Sequence, residues 1–100
     1  MRYNIKFWDI ENHKLLESWE VRGNGITRRD ILDVVRNVYF FARHTHSRSI
    51  RAEIMPDMPC STPVLVTLAT EPEHNCRRLY LGNSGRLPEM VREWSLDREQ

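Results

Sequence analysis

The chain is predicted to fold as an α+β domain with a mostly antiparallel sheet, and three patterns carry that expectation. Apolar residues alternate with polar ones over 3–22 and again over 49–55, the period of a half-buried strand. Thr27 to Arg43 (TRRDILDVVRNVYFFAR) instead repeats its apolar residues at helical spacing. Clusters of Gly and Pro separate these blocks. The implied order is ββαβββα: a five-stranded sheet, one long central helix packed on one face, and a short C-terminal helix. All 100 residues form one domain in this reading, a length that buries roughly 60–70% of the unfolded surface.

Tyr3, Ile5 and Phe7 share one face of the first strand, and Trp19 and Val21 one face of the second, so Tyr3–Arg22 reads as a hairpin. Setting Phe7 opposite Trp19 and Ile5 opposite Val21 leaves Asn12-His13-Lys14 as a three-residue loop. That register places Lys6 opposite Glu20, and gathers Trp8, Ile10 and Leu16 on the outer face. Such a face is expected either to be covered or to associate.

Gly23-Asn24-Gly25 ends the hairpin. Thr27 is the predicted N-cap of the central helix, with Asp30 as an imperfect capping-box partner and Ile26 and Ile31 as a hydrophobic staple. Ile31, Val34, Val35, Val38 and Ala42 form its inner face, flanked by Leu32, Tyr39 and Phe41. The β-branched content makes this helix dependent on burial. Ser49–Met55 then reads as a strand, and Pro56, Pro59 and Pro63 mark a connection. Val64–Ala69 is apolar on both faces and is placed in the sheet centre. Glu71–Asn75 is a turn and Arg78–Leu81 a short strand ending at Gly82-Asn83-Ser84-Gly85. Pro88 suits the first turn of a C-terminal helix that turns Met90, Val91 and Trp94 to one side, over Trp8, Ile10 and Leu16.

Composition narrows the function classes. The start of the chain has no basic stretch followed by an apolar run, and the longest apolar runs, such as Val38–Ala42, are too short to span a bilayer. A cytoplasmic protein without membrane contact is expected, with Cys60 and Cys76 as free thiols. Net charge is only +1, yet seven arginines fall between Arg22 and Arg51 against Asp30 and Asp33, while the stretch after Leu87 has more acids than bases.

The functional expectation rests on the outer face of the central helix. Arg29, Arg36 and Arg43 recur every seven residues and form a slowly drifting stripe, with Phe40 among them. Aromatic residues and arginine are favoured at interfaces, so this face reads as a protein-binding surface anchored by Phe40. Arg28 and Arg29 lie where the helix dipole disfavours cations, partly offset by Asp33 four residues after Arg29, and this points to an anionic partner bearing carboxylates or phosphates; for a protein partner, an acidic surface. Arg48 and Arg51 extend the basic stretch. The same strip over 28–51 supports nucleic-acid binding as the alternative, and a homodimer built on Trp8, Ile10 and Leu16 as a third reading.

Enzyme, metal and cofactor motifs are not found. His44, His46, His74 and Cys76 lack zinc-ligand spacing, and Gly23-Asn24-Gly25 has Arg28 where a dinucleotide fingerprint requires glycine. His74 and Cys76 are two residues apart, but nothing else supports a nucleophile. A non-enzymatic binding protein is therefore expected, with no cofactor and no metal. Its size class suits an inhibitor, antitoxin or accessory subunit of phage or mobile-element type, such as an anti-defence protein; that is analogy by size only.

Overall fold

The computed structural model describes residues 2–23, 25–58, 61–83, 85 and 87–99. Cys60 lies outside them, as do Asn24, Pro59 and Ser84 of the expected turns. Among the described residues the order is β1 (Arg2–Asp9), β2 (Lys14–Arg22), α1 (Arg28–Thr45), β3 (Ser49–Pro56), β4 (Val64–Glu71), β5 (Cys76–Asn83) and β6 (Glu89–Ser95). Short 3₁₀ turns follow β4 (Pro72–His74) and β6 (Leu96–Glu99). The strands form one antiparallel sheet in the order β2-β1-β3-β4-β5-β6, and α1 packs across β3 and β4. The α+β class holds, with six strands instead of five and ββαββββ in place of ββαβββα.

The missing C-terminal helix is a strand. Met90, Val91 and Trp94 fit a helix face, but Glu89–Ser95 pairs with β5, which would otherwise be left as an edge. Pairing sets Arg92 beside Leu79 and Trp94 beside Arg77, so these two residues face α1, while an irregularity between Leu79 and Tyr80 puts Met90 opposite Tyr80. Tertiary pairing outweighs local propensity here. Consequently no helix among the described residues covers Trp8 and Ile10.

The hairpin register is shifted by two residues from the expected one. Ile5 pairs with Trp19, Tyr3 with Val21, Asn4 with Glu20 and Lys6 with Ser18. A shift of two preserves the faces, so the apolar set still points inward. An irregularity between Phe7 and Trp8 then brings Trp8 opposite Leu15, and the connection is Ile10–His13, with His13 at positive φ. Leu16 consequently packs with the core, away from the face that bears Trp8.

The helix start is better formed than its sequence suggests. The Thr27 hydroxyl accepts from the Asp30 amide (3.1 Å), and the Thr27 amide donates to the Asp30 carboxylate (2.9 Å), which completes the capping box. These hydrogen bonds hold the Asp30 carboxyl below its usual pKa. At the other end His46 takes the left-handed conformation that ends the helix.

The core lies between α1 and the sheet. Val34 and Val38 on the helix meet Phe7, Ile50, Ile54, Val66 and Leu68, all of them fully buried. Phe7 joins the helix to the hairpin through an edge-on contact with Trp19 (4.8 Å) and a tilted one with Phe41 (5.4 Å). The other face of the sheet carries Trp8, Arg51, Glu53, Thr67 and Tyr80, and no described element packs over it.

Buried polar groups tie the loops to this core. The Asp9 carboxylate accepts from Ser47 Oγ (2.6 Å), Asn12 Nδ2 (2.8 Å) and the Asn12 amide (3.1 Å). Burial opposes the ionised form of Asp9, but these hydrogen bonds outweigh it and hold the pKa below the usual aspartate value. One carboxylate thus fixes both the hairpin loop and the α1–β3 connection. Cys76 is buried at the start of β5. No helix among the described residues is long and apolar enough to cross a membrane.

Candidate functional site

The outer face of α1 presents Arg29, Arg36, Phe40 and Arg43 to solvent. Phe40 is 50% exposed. Its ring stacks on His44 (4.0 Å between centroids) and meets Phe41 edge-on (5.7 Å). The His44 Nδ1–H donates to the Phe40 carbonyl (2.9 Å); a carbonyl can only accept, so that nitrogen carries the proton. Imidazole and main chain together hold the Phe40 ring in place while leaving one side of it open.

Leu32, expected on the flank of the buried face, is 52% exposed and extends the apolar part of the outer face. The arginines have few competing partners. Asp33 approaches Arg36 (3.9 Å) and not Arg29 as its spacing suggested, and this exposed pair is weak. Arg43 leans towards the Tyr39 ring, its guanidinium carbon 5.8 Å from the centroid.

Arg48 and Arg51 part company. Arg48 is exposed and, with Arg43, His46 and Pro72, borders a small depression at the C-terminal end of α1. Its amide donates to Glu11 (2.6 Å), which fixes the backbone there. Arg51 alternates with the buried Ile50 and Ala52, so its side chain lies on the sheet face away from the helix, where Nε donates to Thr67 Oγ1 (3.1 Å). The basic strip over 28–51 is therefore two surfaces on opposite sides of the molecule.

Trp8 and Ile10 are half-buried, and Leu15, opposite Trp8, is 44% exposed. With Leu16 in the core, the apolar trio expected from the sequence is not assembled. Among the described residues His, Cys, Asp and Glu form no cluster of three or more suited to a metal ion. His44 stacks on Phe40, His74 lies in a 3₁₀ turn near Glu71, and Cys76 is buried.

A second feature is a groove of about 360 Å³ between α1 and β6 that the sequence did not reveal. Val35, Leu68 and Leu79 form its apolar floor, with the rings of Tyr39 and Trp94 (6.0 Å apart) beside them. Arg36, Arg92 and Arg98 stand at its rim. The final 3₁₀ turn closes one end because Glu99 accepts from Arg77 Nε (2.7 Å) and from the Trp94 indole N–H (2.8 Å). Burial would raise the Glu99 pKa, but the bonds from Arg77 and Trp94 and the Arg77 charge bring it below the usual glutamate value. The signal in the sequence was the two-residue spacing of Arg92 and Trp94, which a helical reading obscures. Comparisons of the chain with protein-family models, with curated proteins and with solved structures give no match.

Proposed function

We propose that this protein is a non-enzymatic binding protein whose α1 outer face docks on an acidic surface of a protein partner, as an inhibitor or accessory subunit would. The observation that carries this reading is the half-exposed Phe40 ring, held by His44 and bordered by Arg36 and Arg43. A ring already fixed in the free protein loses little rotamer entropy on docking, and arginine around it suits carboxylates. The complete capping box and the buried inner face make α1 a rigid platform for such contacts.

Nucleic-acid binding by one continuous basic strip is the weaker alternative, because Arg51 lies on the opposite side from Arg29, Arg36 and Arg43. Affinity capture from the native host with wild-type protein and with the Arg36→Glu/Arg43→Glu variant tests the proposal. A specific partner should be captured by the wild type, lost with the folded variant, and rebound by wild type when both are purified. Equal capture by both proteins would refute it. Binding of DNA or RNA that weakens linearly on a log–log salt plot would support the alternative instead.

A further inference from the structure

The groove between α1 and β6 has a composition that neither the helix face nor the sheet shares. Its floor is aliphatic and its sides are aromatic, while the groups at its mouth are guanidinium. Arg92 is held over the Trp94 ring, with its guanidinium carbon 5.3 Å from the centroid, so one rim charge is already oriented. Among the described residues neither Arg92 nor Arg98 has a carboxylate within ion-pairing distance. Arg36 has only the long contact to Asp33. Glu99, the acid that lines the groove, is occupied by Arg77 and Trp94, so it leaves the rim cationic.

We propose that this groove binds a small organic anion, with a flat or branched apolar body against Tyr39, Trp94 and Leu79 and one carboxylate on Arg92 and Arg98. The volume lies at the lower end of ligand pockets, roughly 300–1,000 Å³, which fits a molecule of about one ring and a short acidic chain. Apolar lining supplies contact area, and the arginines supply orientation and selection for charge. Arg36 borders both this groove and the helix face, but the two readings are separable: the groove selects a small acid whether or not a macromolecule docks on Phe40.

The test uses 3-phenylpropionate and its uncharged analogue 3-phenylpropanamide, followed by the ¹H–¹⁵N signals of the three indoles. The Trp94 indole N–H lies in the groove wall, whereas Trp8 and Trp19 are elsewhere and serve as internal controls. A saturable shift of the Trp94 signal is expected with the acid, at an affinity about ten-fold above that of the amide, the factor one charge-assisted hydrogen bond supplies. Arg98→Gln, at an exposed position, should reduce the difference between acid and amide while leaving the other two indole signals unchanged. Equal affinities for acid and amide, equal shifts at all three indoles, or no saturable shift would each overturn the proposal. So would binding of a glutamate-rich peptide at Trp94 with no response to phenylpropionate, which would make the groove part of a protein interface.

Discussion

Replacing Phe40 with alanine separates a surface anchor from a core residue by magnitude. A phenylalanine side chain carries about 200 Å² of apolar surface, and at 50% exposure about 100 Å² is buried, worth at most about 2.5 kcal/mol. The aromatic neighbours are His44 and Phe41 on the same helix, so part of that contact survives in any state that keeps the helix. Alanine is also the better helix former, by about 0.5 kcal/mol. The expected net loss for Phe40→Ala is therefore about 1–2 kcal/mol. Phe7, fully buried under α1, should cost about 3–5 kcal/mol on the same change. Urea denaturation followed by tryptophan fluorescence reads both, with Phe7→Ala shifting the midpoint at least twice as far. A loss of about 3 kcal/mol or more for Phe40→Ala would refute the reasoning, because the ring would then be serving the core.

Three further perturbations test how the frame is held. Thr27→Ala removes the hydroxyl that accepts from the Asp30 amide, and should cost about 1 kcal/mol in the same urea assay. Asp9→Ala deletes the acceptor shared by Ser47 and Asn12, and should cost about 2–3 kcal/mol, with faster amide exchange in both the hairpin loop and 46–48. Glu99 has a folded pKa below its unfolded value, so the stability it contributes is present above about pH 4.3 and is lost as pH falls through the folded pKa. Glu99→Gln should destabilise by about 1–3 kcal/mol at neutral pH and flatten the loss of stability between neutral pH and pH 3, both read from urea midpoints.

The parts of the fold that could be read from the sequence were those with a local cause. Thr27, Asp30 and the apolar spacing from Ile31 to Ala42 define α1 without reference to anything distant. The alternation in Tyr3–Phe7 and Ile50–Ile54 fixes which side chains face it. The hairpin register failed because two registers two residues apart bury the same apolar set, and only the irregularity after Phe7 separates them. The C-terminal strand was misread because Met90, Val91 and Trp94 share a helix face, and extension is chosen only by β5 offering an unpaired edge. The groove was invisible for the same reason: Arg92 and Trp94 come next to Tyr39 only when 89–95 is extended. The arginine and phenylalanine face of α1 followed from the helix, whereas Arg51 was carried to the far side by strand alternation.

The strand order also governs how the chain finds its structure. β2 and β3 both run antiparallel to β1 from either side, so the connection that carries α1 passes β1 to join two parallel strands. The hairpin and the β3–β6 meander each form by pairing neighbours along the chain, and they meet only where β1 docks on β3. Phe7 and Ala52 pair there across about 45 residues, so this closure has the largest loop entropy to overcome. The seam between the two halves is therefore expected to set the folding speed. Stopped-flow refolding should show Ala52→Gly slowing the folding limb and Val91→Ala acting mainly on unfolding; the reverse pattern would place the rate-limiting step in the meander.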